Sequence, residues 1–503
     1  MEMYPLNFDK SKAPSLQSRL FGHRMKQSQT KYEYLIEFLQ VAIAPKLNLK
    51  TEKTYTCMFP VDPAGMEDGL SYFPETGMWL KRFVFLPKSK LEGKAEVDKT
   101  AYEHCVRELE HHVEGGNEAT RRNSIAIIQN LLNGFSAVNQ NRSWFDQNLL
   151  PICPEVVLPE GMGVKSQRKG LSFEIGSADI DEKFDFHKYT YMCRGGEIYY
   201  LHLLNAVNQY PDYAPVIETR LSEMIHSFPQ FSYLCHFVQN TWDNYMMVPP
   251  AEKAQGKLKK DLGAIPLSFS KRNQFTLSEL KNFLNSKMHP FEKMEILSCG
   301  ITLQIMRMMY VAAATETDSN CWVVDVNCKG HESAETKKAA ITAFHHNEEV
   351  ITNYLYRGLE ELRAELRGDD HKIIESAADD SYRLFRKLGK AIGIVIPVTG
   401  PGMRFSLSEE IIKFFVLSMI PPKSMITLNE FMELLYSHYQ MVIGPEQYRM
   451  EMERGAVKQL GDLSFLEENK LAFSQKLKDC GFLRDLSDST AIVENPYGSE
   501  DKV

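Results

Sequence analysis

Two sets of residues come near the pattern of a metal-dependent nuclease. Trp322-Val323-Val324 is an apolar, strand-like run that ends on Asp325, with Lys329 four positions on. A nuclease of this type holds magnesium between two carboxylates, one at a strand end and one in an acid-x-lysine pair on the next strand. Asn327 stands where the second carboxylate is needed. The other set, Glu174, Asp181 and Lys183, has the acid-x-lysine spacing without a clear preceding strand. Degenerate matches of this kind arise often by chance, so no catalytic residue is assigned.

Cys321, Cys328 and His331, with His345 and His346 downstream, offer the thiolate and imidazole groups that zinc takes. No C-x-x-C forms a chelating turn, and two adjacent helical histidines point about 100° apart. Reduced core cysteines and surface histidines are the better account, and neither a metal nor a cofactor is expected. His331-Glu332 begins an H-E pair, but Glu335 occupies the place of the second histidine of a zinc protease. The phosphate-cradling G-x-x-x-x-G-K-[ST] loop, the dinucleotide turn G-x-G-x-x-G and the hydrolase elbow G-x-S-x-G are absent.

Positive charge is the remaining chemical signal. Lys253, Lys257, Lys259, Lys260, Lys271, Arg272, Lys281 and Lys287 face only Glu252, Asp261 and Glu279, a run able either to track a phosphate backbone or to serve as a solvated linker. Near the carboxy terminus Lys470, Lys476, Lys478 and Arg484 are matched by Glu467, Glu468, Asp479 and Asp485. That balance removes most non-specific attraction to DNA and favours protein contact. Arg121-Arg122 and the stretch Lys165 to Lys169 are smaller and not specific.

The elements that would carry these residues are mostly helical. Apolar residues at three-to-four spacing predict a helix over Tyr32 to Ala44, and helices also over Tyr102 to Val113 and Ala119 to Leu132. Thr54 to Phe59 and Trp79 to Phe85 read as short strands. Residues Pro151 to Gly196 read as a connector with short strands, followed by helices over Ile198 to Asn208, Ala214 to Ser227 and Phe231 to Met246. Thr276-Leu277-Ser278-Glu279 reads as a capping box, and longer helices are expected over Phe291 to Ala314, Ala334 to Arg367 and Ile373 to Leu388.

The most informative stretch is Ala391 to Tyr497. The N-terminal signature Ser406-Leu407-Ser408-Glu409-Glu410 and the capping box Thr427-Leu428-Asn429-Glu430 open helices over Ile411 to Met419 and Phe431 to Tyr439, and a longer connection between that helix and the next is expected to hold a helix near Glu446 to Gln459. A helix over Phe465 to Lys478 ends near Gly481, and Phe482 to Glu494 reads as a hairpin around Ser487-Asp488-Ser489. With the helix near Glu446 to Gln459 set aside as part of the connection, the other three helices and the hairpin in this order resemble a winged helix. The fold class expected is mainly α with small β elements in several domains. These are a mixed helix-rich domain at 1–158, a connector and helical domain at 159–250, a basic linker at 251–275, a helical bundle at 276–390, the winged-helix-like module at 391–497 and a tail at 498–503.

Composition is that of a globular chain. Of 503 residues, 43% are hydrophobic and 25% charged, and the net charge of −8 argues against a whole-surface nucleic-acid binder. Nine scattered cysteines read as reduced thiols, and no signal peptide or long apolar span is evident, so a cytoplasmic protein without membrane contact is expected. Tyr32-Glu33-Tyr34-Leu35-Ile36-Glu37-Phe38-Leu39 and the hairpin of Gly481 to Tyr497 give the chain a resemblance to accessory, non-ATPase subunits of multi-gene prokaryotic DNA-defence systems. The resemblance implies a non-catalytic scaffold or adaptor in a larger, DNA-associated complex, with protein partners. A winged-helix DNA-binding regulator and a nuclease with a degenerate centre are the alternatives.

Overall fold

The computed structural model describes residues 15–22, 25–63, 69–74, 79–88, 96–138, 144, 147–157, 195–245, 260–315, 318, 321–326, 328–487 and 490–498. Glu174, Asp181 and Lys183 of the connector lie outside these residues, as do the stretch Lys165 to Lys169, Lys253, Lys257, Lys259, Asn327 and the turn residues Asp488 and Ser489. The chain is mainly helical with small sheets and divides into two compact units. One comprises Met1–Leu35, Arg194–Arg220 and Gly263–Val503, the other Ile36–Cys193 and Leu221–Leu262.

The smaller unit has a four-stranded antiparallel sheet in the order Thr54–Tyr55, Lys46–Asn48, Leu70–Tyr72, Lys260–Asp261. The last strand joins it by pairing Asp261 with Ser71 and Lys260 with Tyr72. Helices Trp79–Phe85, Glu96–His112, Glu118–Asn133 and Pro229–Tyr245 pack on one another. The run Trp79–Phe85, expected as a strand, is a helix. Leu80 through Leu86 are all buried, even Lys81 and Arg82, so no amphipathic stripe marks the helical period and the aromatic and β-branched content points the wrong way. The Arg82 guanidinium lies 4.7 Å from the Trp144 ring centroid, a cation–π contact that offsets part of its desolvation.

The larger unit is built around Pro290–Ala313, a helix started by His289 and Pro290 and buried along nearly its whole length. Its length and hydropathy match a membrane span, but 89% of that apolar window is buried inside the protein. It packs on Glu409–Met419 and Ala334–Leu362. Gly300 permits the first of these contacts, because a Cβ there would sit 2.2 Å from the Phe414 ring.

Further readings change. The helix expected to begin at Thr276 begins at Asn273, continuing a 3-10 turn over Leu267–Arg272, so Thr276 and Glu279 are interior and buried. Residues 260–275, expected as linker, thus carry a strand and a helical turn. The single helix expected over Ile373 to Leu388 is two, Asp370–Asp379 and Tyr382–Ala391, where the Ser381 hydroxyl donates back to the Ala377 carbonyl at 2.5 Å and competes with the helical ladder. Helix Asn273–Asn285 packs on Glu409–Met419, so residues from the expected 276–390 bundle and the 391–497 module share one core.

The carboxy-terminal segment runs as helix Glu409–Met419, strand Met425–Thr427, helices Leu428–Tyr439, Pro445–Glu453 and Ser464–Asp479, then strands Leu483–Ser487 and Thr490–Glu494. Ser408 caps the first helix, and Thr427 with Glu430 forms a complete capping box on the second. The three strands are antiparallel, with Thr490–Glu494 between the other two. Gly481 has φ of 78°, a left-handed conformation suited to ending Ser464–Asp479.

Candidate docking face and buried polar cluster

Helix Ser464–Asp479 turns Leu466, Asn469, Ala472, Phe473 and Leu477 inward, and Phe473 lies parallel to Phe431 with centroids 6.1 Å apart. Asn469 anchors it. Its side-chain amide donates to the Val324 and Ile443 carbonyls at 2.9 and 2.8 Å, and its oxygen accepts from the Val326 amide at 3.0 Å. These groups lie at the ends of a parallel strand pair, Trp322–Val323 with Met441–Val442. The opposite face exposes Glu467, Glu468, Leu471, Gln475, Lys478 and Asp479, and Leu471 is 52% exposed.

Four of the basic residues expected to meet DNA, Lys476, Lys478, Arg484 and Arg272, have partners within the protein. Lys476 is partly buried and donates to the carbonyls of Val326 and Leu407 at 3.0 and 2.6 Å, and burial pulls its ammonium below the ordinary lysine value. Lys478 pairs with Asp485 at 2.7 Å, and Arg484 with Glu494 at 2.9 Å. Lys470 is half-buried on the same helix, and Lys271 is exposed. Lys260 lies in a short strand. Arg272 is buried. Its guanidinium sits 4.5 Å from the Tyr439 ring centroid, donates to the His438 carbonyl and to Gln304 Oε1, and faces Glu279 at 3.6 Å.

Arg272 belongs to a polar cluster centred on Glu279, which is 1% exposed. The Glu279 carboxylate accepts from the Tyr439 hydroxyl at 2.6 Å and from Gln304 Nε2 at 2.5 Å, and lies 2.6 Å from His438 Nδ1. Burial, then the carboxylate charge, raises the Tyr439 hydroxyl well above its usual range. Thr276, one helical turn before Glu279, bonds His202 Nε2 at 2.9 Å, and burial followed by the charge of Arg272 lowers the His202 imidazole to about 3. Arg307, fully buried against the Trp322 ring at 4.9 Å, is lowered to about 9 by burial and by Arg272. Breaking one partner of a buried ionic cluster of this kind leaves an uncompensated charge. The sequence signal for Glu279 is the Thr-x-x-Glu spacing, but its partners Gln304 and Tyr439 lie 25 and 160 positions away.

Asp325, Cys321 and His331 each have neighbours within the protein. Asp325 pairs with Arg404 at 2.5 Å, both buried, and so does not stand free for magnesium. Cys321 sits in an apolar cluster with Val323, Tyr436, Val442, Tyr448 and Leu466. His331 lies 3.4 Å from Glu468. Among the described residues no group of three or more His, Cys, Asp or Glu side chains converges to hold a metal ion. No protein-family model, curated protein or solved structure matches the chain.

Proposed function

We propose that residues 391–497 form a winged-helix-like module and that the protein is a non-catalytic adaptor, docking a protein partner through the exposed face of helix Ser464–Asp479. The element order and the placement of strand Thr490–Glu494 between its two neighbours support the module. The observation that carries the docking reading is the charge on the helix that a DNA-binding winged helix would place in a groove. Its exposed face carries Glu467, Glu468 and Asp479 around Leu471, while Lys476 turns inward and Lys478 is neutralised by Asp485. Such a face repels phosphate and suits an apolar anchor ringed by polar groups. The resemblance to DNA-defence accessory subunits makes another subunit of such an assembly the partner class.

The test is a photo-crosslinking amino acid placed at Leu471 in the full-length protein, with the same group at exposed Lys338 as control. A discrete protein adduct from Leu471 alone is the expected result. Adducts to DNA at Leu471, or the same adducts at both positions, would overturn the reading.

A further inference from the structure

In the smaller unit the sulfurs of Cys153 and Cys235 lie 3.7 Å apart, in hydrogen-bond contact and each 1% exposed, though 82 positions apart in sequence. Cys153 immediately precedes the short helix Pro154–Val157, and Cys235 lies within Pro229–Tyr245, against which that helix packs. Beside them is Glu155, whose Oε1 accepts from the Ser232 hydroxyl at 2.5 Å and lies 2.8 Å from Nε2 of the exposed His236. Glu155 lies two positions from Cys153, and its partners Ser232 and His236 flank Cys235 on the helix Pro229–Tyr245. From this arrangement we infer that Cys153 and Cys235 are a latent disulfide site, closed by a small peroxide and restrained by the Glu155 carboxylate.

The chemistry balances with hydrogen peroxide as oxidant. The Cys153 thiolate attacks one peroxide oxygen, the O–O bond breaks, and the departing hydroxide takes up the thiol proton as water. Cys235 then attacks the resulting sulfenic sulfur, the S–O bond breaks, and the hydroxyl leaves with the Cys235 proton as a second water. Two thiols are oxidised to one disulfide and one peroxide is reduced to two waters. A disulfide needs sulfurs about 2.05 Å apart, so the 3.7 Å separation of the two sulfurs has less than about 2 Å to close. Peroxide is small enough to reach a buried pair where a protein or glutathione thiol is not. The neighbouring thiol, burial and the negative Glu155 raise the Cys153 thiol above its ordinary value, which keeps the pair protonated and slow.

The experiment treats the folded full-length protein with hydrogen peroxide and maps its cysteines by peptide mass without reduction. A Cys153–Cys235 linked peptide is expected, lost in Cys235→Ser, and formed several-fold faster in Glu155→Gln, which removes the charge but keeps an acceptor for Ser232. Recovery of the wild-type peptides unlinked, whether unmodified or singly oxidised, under conditions that oxidise the exposed Cys57, would overturn the inference. An unchanged or slower rate in a folded Glu155→Gln protein would overturn the restraining role.

Discussion

The ammonium of Lys476 donates to the backbone carbonyl of Leu407 across 2.6 Å. A residue that reads in sequence as a surface cation on a recognition helix is therefore a tie between that helix and the loop before Glu409–Met419. Lys476→Glu would set a carboxylate against two carbonyl oxygens, those of Leu407 and Val326. Loss of charge-assisted hydrogen bonds of this kind is expected to cost about 2–3 kcal/mol. Lys478→Glu, which breaks an exposed pair with Asp485, is expected to cost less than about 1 kcal/mol. Urea unfolding of the two variants checks the order, and equal midpoints would refute the inward role of Lys476.

Asn469→Ala leaves the Val324 and Ile443 carbonyls and the Val326 amide without their side-chain partner. Unsatisfied buried backbone groups make this change worth roughly 2–4 kcal/mol, well beyond the helix propensity that alanine regains. Amide hydrogen exchange should speed most at Val326, whose hydrogen bond is lost directly.

Gly300→Ala adds a methyl where the Phe414 ring lies 2.2 Å away. Either the ring rotates or helices Pro290–Ala313 and Glu409–Met419 separate, and overpacking of this kind costs about 1–3 kcal/mol. The paired change Gly300→Ala with Phe414→Leu should recover part of that loss in thermal melts, whereas strictly additive destabilisation would contradict the packing described.

His202 gives stability a definite pH dependence. Its imidazole titrates near 3 in the folded unit, against about 6.5 when unfolded. Because the folded pKa is depressed, its contribution is complete above about pH 6.5 and is lost progressively as pH falls toward 3, with a limiting slope of about 1.4 kcal/mol per pH unit. A folded His202→Gln variant should lose that slope between those limits. Proton uptake on unfolding, measured by calorimetry in buffers of different ionisation enthalpy, should fall by close to one proton near pH 5.

Much of the helical plan is legible in the sequence because amphipathic stripes and caps are local. The signature Ser406 to Glu410 and the Thr427–Glu430 box announce their helices within a few residues; the box forms as read, and within the signature Ser408 is the residue that caps. Trp79–Phe85 is not legible, since burial on all sides erases the period. Glu279 reads as a capping residue because the same Thr-x-x-Glu spacing serves a cap at Thr427 and, at Thr276, a mid-helix turn facing His202. What distinguishes them is the preceding 3-10 turn Leu267–Arg272, and that turn is held by Arg272 reaching His438, 166 positions away. The basic residues of the last helix are visible as a balanced set, but their partners are not. The pairing of Arg484 with Glu494 follows from the hairpin register, while the inward turn of Lys476 depends on Val326 and Leu407, remote in sequence.

The most direct measurement is fluorescence anisotropy of labelled duplex DNA with the full-length protein across a salt series, alongside a Lys478→Glu/Arg484→Glu variant. The docking account predicts only weak binding at low salt, with no difference between the two proteins. Tight binding that falls steeply with salt and is lost in the variant would contradict it and make helix Ser464–Asp479 a DNA-reading element.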